Sequence, residues 1–108
     1  SANARDAVFS ALADETRRVL LDRLRVRNGQ SLAQLARGLR MSRQAVTKHL
    51  EALEEAGLVA SDARGRGARF RLTPRPMTDA MRWMADVGGE WDERLEALRT
   101  HLARRRPR

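Results

Sequence analysis

Residues 31–59, SLAQLARGLRMSRQAVTKHLEALEEAGLV, decide the fold. Ser31 and Gln34 are spaced as a capping box, in which each side chain satisfies the other's free backbone N–H. Leu32, Leu35, Ala36 and Leu39 follow at helical spacing. Leu39-Arg40-Met41 reads as a turn, and Ser42 as the N-cap of a second helix. On that helix Val46, Leu50 and Leu53 form one apolar stripe, and Gly57 stands where a left-handed C-terminal cap belongs. Helix, short turn, helix is the pattern whose second member enters the major groove of DNA.

The faces of the second helix define what it can touch. At roughly 100° per residue, the stripe points inward while Gln44 and Lys48 point outward near the helix start. Arg43 and Thr47 flank them on one side and His49 on the other. Glu51, Glu54 and Glu55 all fall in the second half, so the helix is basic at its N-terminal end and acidic at its C-terminal end. A helix approaching DNA by its N-terminus needs that polarity, because carboxylates near phosphates are repelled. Gln pairs bidentately with adenine, and Arg or Lys with guanine.

Downstream, residues 58–62 and 68–73 read as two short strands, with Phe70 and Leu72 alternating with Arg69 and Arg71. Between them lies the turn Ala63-Arg64-Gly65-Arg66-Gly67. Its Arg64 and Arg66 suit phosphate contacts or a narrow minor groove. Upstream, residues 4–13 read as a helix with Val8, Phe9 and Leu12 on one face. Asp14 caps a second helix, ETRRVLLDRLRV, with Val19, Leu20 and Leu24 as its core face, Leu21 beside it and Asn28-Gly29 at its end.

Pro74 and Pro76 close the hairpin and open a last helix, from Met77 to about Arg104. Along it Met77, Met81, Met84, Gly88, Trp91, Leu95, Leu98 and Leu102 alternate in steps of four and three, a heptad seam. The rest of the chain already supplies a core, so a surplus apolar helix predicts a two-fold dimer, joined by the first helix. The interface set is then Val8, Phe9, Leu12, Met81, Met84, Trp91, Leu95, Leu98 and Leu102. Gly88-Gly89 implies either a kink or a close approach of two helices.

These readings amount to one domain over residues 1–108, with the helix-turn-helix at 31–57, the wing at 58–73 and a dimerisation helix at 77–104. The expected class is mainly α with a β-hairpin, a winged helix-turn-helix in the order four helices, two strands, one helix. The 108 residues suffice for one modest core. A net charge of +8, with 22 basic against 14 acidic residues, favours an anionic partner, nucleic acid ahead of a membrane surface. The absence of cysteine excludes disulfides and thiolate metal sites. No run approaches the roughly 20 apolar residues of a membrane span, and no signal-peptide core is visible. A cytoplasmic protein, held at the nucleoid by DNA, is expected.

The pieces LADETRRVLLDRL, SLAQLA, SRQAVTKHLEALEEAGLV and the Arg/Gly wing resemble the ArsR family of winged-helix transcriptional repressors, over about residues 8–102. The most specific match is S-x-x-x-V-[ST]-x-H-L with L-x-x-A-G-L-V, which here reads Ser42, Val46, Thr47, His49, Leu50, Leu53 and Ala56 to Val59. The end, with Trp83, Trp91 and WDERLEAL, resembles a branch without metal sites. The resemblance implies a homodimer on a palindromic double-stranded operator, repressing its own or neighbouring genes. By position its DNA-facing residues would be Ser42, Arg43, Gln44, Thr47, Lys48, His49, Arg64 and Arg66.

Two departures from the family stand out. Glycine is usual where Arg40 stands, and Gly38 reads as displaced into the helix. The family's metal motif would lie in the helix from Ser31, where SLAQLARGL offers no cysteine, histidine or carboxylate; on the last helix His101 is the only histidine, and no second follows at ligand spacing. No metal and no cofactor are therefore expected, and any inducer would be an unidentified small molecule or protein. Catalysis is not expected, since Ser42, His49 and the nearby glutamates diverge around one helix. The rival reading is a winged-helix module for protein or RNA without operator specificity. It would want an acidic or apolar surface where Gln44 and Lys48 stand.

Overall fold

The computed structural model describes residues 2–62 and 67–105. The elements are α1 (Ala2–Leu12), α2 (Glu15–Val26), β1 (Gln30–Ser31), α3 (Leu32–Ala36), α4 (Arg43–Glu55), β2 (Val59–Ser61), β3 (Arg69–Leu72) and α5 (Arg75–Arg105). The expected order of helices and hairpin holds, with one addition. Gln30 and Ser31 form a third strand, paired antiparallel with β3 (Gln30 opposite Phe70, Ser31 opposite Arg69), so the sheet runs β1-β3-β2. Two residues are too short for alternation to announce a strand. Across the hairpin, Val59 faces Leu72 and Ser61 faces Phe70.

The caps form as the residue types dictate. Asp14 accepts a hydrogen bond from the Arg17 amide at 3.1 Å. The Ser31–Gln34 box closes both ways, at 2.9 and 3.3 Å. The Ser42 hydroxyl accepts from the Ala45 amide at 3.1 Å. At the end of α4 the Leu58 amide reaches back to the Leu53 carbonyl and the Gly57 amide to that of Glu54, both at 2.9 Å. That pair of bonds is the Schellman ending, and Gly57 supplies its left-handed residue with φ +77°.

α3 is shorter than its apolar spacing suggests. It ends at Ala36, and Gly38 adopts φ +78° in the turn, not within the helix. A glycine two residues past the last helical position can reverse the chain without steric cost. It therefore takes over the turning role that the resemblance leads us to expect at the position of Arg40.

The core is built where the stripes converge: Leu20 and Leu24 of α2, Leu35 of α3, Val46, Leu50 and Leu53 of α4, and Leu58 are all essentially inaccessible. Val19, expected in this core, is only half-buried, and Leu21 takes its place. α1 closes the core from one side with Val8 and Ala11, against which α5 lays Ala80.

α5 is unbroken across Gly88-Gly89. Its 31 residues span about 46 Å, far more than the rest of the domain can cover. The radius of gyration is 20.0 Å, against about 13 Å for a compact chain of this length. Among the described residues, no helix is long and apolar enough to cross a membrane.

Candidate nucleic-acid interface

α4 is held by its buried stripe, so the opposite face and the N-terminal end are what it can offer. Ser42, Arg43, Gln44 and Lys48 are exposed there. Thr47 is half-buried and its hydroxyl donates to the Arg43 carbonyl at 2.9 Å. The helix start carries free N–H groups and the positive end of the helix dipole, both attractive to phosphate. Glu51, Glu54 and Glu55 are exposed at the other end.

His49 sits apart from this group. It is half-buried against the start of α2, where its Nδ1 accepts from Arg17 Nε at 3.4 Å and lies 3.8 Å from Asp14 Oδ1. The Arg17 amide, and to a lesser degree the Arg17 charge, hold the Asp14 carboxyl below the usual carboxylate range. His49 thus ties α4 to the cap of α2. Asp14 and Arg17 were legible in the sequence as cap and helix residues, but not as partners of His49, because 32 residues separate Arg17 from it.

The stem of the wing is fixed by one carboxylate. Asp62 accepts from Arg71 Nε at 3.1 Å and from the Arg69 amide at 3.3 Å, and its pKa is lowered chiefly by the Arg71 hydrogen bond. Arg69 donates to the Gly29 carbonyl at 3.1 Å, and the Leu72 amide donates to Asn28 Oδ1 at 2.9 Å. Two of the four wing arginines are therefore occupied in holding the stem. The other two, Arg64 and Arg66, lie outside the described residues. Asp62 was missed as a functional residue; its signal was being the lone acid in a basic hairpin.

The seam of α5 lies open. Met81 and Trp91 are each 58% exposed, and Met84, Leu95, Leu98 and Leu102 are exposed as well. Phe9 and Leu12 are half-buried at the edge of the core. Val8 does not belong with them. It is 1% exposed, consumed by the chain's own core, and has no surface to offer a second copy. Trp83, off the seam, packs on α1 with its ring 5.7 Å from Phe9 and under the Arg5 guanidinium at 5.0 Å.

The Ser42 hydroxyl serves as a cap and the His49 ring is bound to α2, an arrangement without nucleophile and base in partnership. Among the described residues, no three His, Asp or Glu side chains gather as metal ligands would.

Comparison with known proteins agrees with this geometry. A family model described as a helix-turn-helix domain matches residues 12–62. The chain is 46% identical over 84 residues to the uncharacterized HTH-type transcriptional regulator YuzN of Bacillus subtilis, covering 72% of this chain and 91% of that one. It is 26% identical over 88 residues to the transcriptional repressor SdpR of the same organism, covering 82% and 97%. Among solved structures, an ArsR-like transcriptional regulator from Rhodococcus superposes with a TM-score of 0.77 at 41% identity, over 91% of this chain and 92% of that one. The chain belongs to the ArsR family of winged helix-turn-helix regulators, and it is a DNA-binding transcriptional regulator, not an enzyme.

Proposed function

We propose that the protein is a homodimeric repressor that reads a palindromic operator and senses no metal. The observation that carries the reading is the N-terminal end of α4, where a capped and dipole-positive helix start exposes Arg43, Gln44 and Lys48 together. Gln44 and Lys48 read base edges; Ser42, Arg43 and Thr47 hold the adjacent phosphates. His49 keeps α4 docked on α2 and meets the backbone with its remaining edge. Arg64 and Arg66 of the wing grip flanking phosphate.

The second copy supplies the cover for α5. Six large apolar side chains on one face are more than a monomer leaves in water, and a heptad seam fits a second seam. Phe9 and Leu12 of α1 border the contact. A two-fold dimer presents two α4 helices to major grooves about one turn, roughly 34 Å, apart. Repression is supported by the likeness to SdpR, and the absence of cysteine and, among the described residues, of a gathered ligand set supports a protein that senses no metal.

The test is fluorescence anisotropy with duplex from the gene's upstream region against a scrambled duplex, at near-physiological salt. A preference of about 10³-fold or more is expected. Gln44→Ala or Lys48→Ala should relax base preference, whereas Arg66→Ala should weaken every duplex and lower the salt slope by about one. Equal, steeply salt-dependent binding of both duplexes would refute operator reading. Binding to neither would favour a protein- or RNA-interaction module.

A further inference from the structure

We propose that Arg23, backed by Gln30, is a positioning residue that sets the recognition helix α4 in register with the wing. The proposal rests on the operator-reading function but on different residues. α3 has five residues, so its last carbonyls lack partners within the helix. One guanidinium nitrogen of Arg23, reaching from α2, donates to two carbonyls at that end: Leu35 at 2.8 Å and Arg37 at 2.6 Å. These carbonyls flank the start of the turn into α4. Charge-assisted bonds of this length are the strong kind.

The brace continues behind Arg23. Its own carbonyl accepts from Gln30 Nε2 at 2.7 Å, and the same nitrogen donates to the Arg27 carbonyl at 2.6 Å. Among the described residues, Gln30 is the one polar residue buried in the core, at 8% exposure. It sits in β1 opposite Phe70 of β3, and the Gly29 amide beside it donates to the Phe70 carbonyl at 3.1 Å. A connected path of hydrogen bonds thus runs from the wing strand, through β1 and the end of α2, to the turn that launches α4. Base readout needs α4 and the wing to meet the duplex together. A turn free to shift would leave phosphate attraction intact and blur the choice of sequence.

The test uses the full chain and a duplex enriched by the wild-type protein from a randomised library, with its scrambled counterpart. Arg23→Met should reduce the preference for the enriched duplex about tenfold, with the salt slope unchanged because no phosphate contact is lost. Arg23→Lys should restore part of the preference, and Gln30→Leu should reproduce the loss. In parallel, amide hydrogen exchange without DNA should speed up at least tenfold at Leu39, whose N–H bonds the Ala36 carbonyl within this turn, while the core of α4 stays protected.

A lowered melting temperature with preference and turn protection unchanged would make Arg23 merely structural and overturn the proposal. Equal weakening of both duplexes with a salt slope lower by about one would make it a phosphate contact instead. If the wild type enriched no sequence, the operator reading would fail, and the hydrogen-exchange arm would still decide whether the brace exists.

Discussion

Replacing Gly57 by alanine tests how α4 hands the chain to the wing. Gly57 has φ +77°, and a Cβ built there would lie 3.2 Å from Pro76 Cγ. The left-handed backbone costs an L-residue about 1–2 kcal/mol. The contact adds to this, since carbon pairs prefer about 3.5–4.0 Å and a proline ring at the start of α5 yields little. Part of the penalty is offset because alanine restricts the unfolded chain, by about 0.4–1 kcal/mol. The net expectation is about 1.5–2 kcal/mol of destabilisation, or a fall in melting temperature of roughly 6–16 °C for a domain near this size.

Gly38→Ala is the internal control. It has nearly the same φ, +78°, but nothing within 4 Å of its built Cβ, so only the backbone term applies, about 1 kcal/mol net. Both variants are measured by urea denaturation at one fixed protein concentration, because stability linked to a dimer moves with concentration. If Gly57→Ala proved no more costly than Gly38→Ala, the Pro76 contact would carry no weight. If it fell within about 0.5 kcal/mol of wild type, the range of an ordinary surface substitution, the Schellman ending itself would be refuted.

Ser42→Ala removes the cap of the recognition helix and should cost about 1 kcal/mol in denaturation, with weaker duplex binding as the first turn frays; unchanged stability would contradict the cap. Asp14 and Asp62 both have pKa values depressed below the unfolded value near about 3.9. Their contribution is therefore present above that value and lost as pH falls through the lower folded pKa values. Stability followed from about pH 5 downward should decline less steeply in Asp14→Asn, which keeps a competent cap but no longer titrates; an identical decline would remove Asp14 from the acid response. Leu95→Glu on the open seam of α5 should turn a dimer into a monomer by sedimentation and cost specific DNA affinity, while an unchanged mass would place the interface elsewhere.

Much of this was legible because it is local. Ser31 with Gln34, Ser42, Asp14 and Gly57 each announce a helix end through bonds to residues at most five positions away, and all four formed as read. The stripe Val46, Leu50, Leu53 fixed which face of α4 is buried, and so which residues it exposes. The length and openness of α5 were equally plain from its seam. The misreadings share one cause. Val19 and Leu39 follow helical spacing, but where a helix stops and which side meets the core depend on its neighbours.

What the sequence determined by itself was the set of elements and the polarity of α4, since capping, periodicity and charge act within a few residues along the chain. What only the tertiary structure decided is how those elements are held to one another. Val8 on the face shared with Phe9 reads as interface until α5 lays Ala80 against the core that α1 closes. That His49 also ties α4 to α2 emerges only when α2 brings Arg17 and Asp14 to it. The strand at Gln30 exists only because β3 passes beside it. Arg23 looks like one arginine among many until its guanidinium finds two carbonyls at the end of α3, those of Leu35 and Arg37. Hydrogen bonds between residues distant in sequence leave no periodicity to read, because their geometry is created by packing.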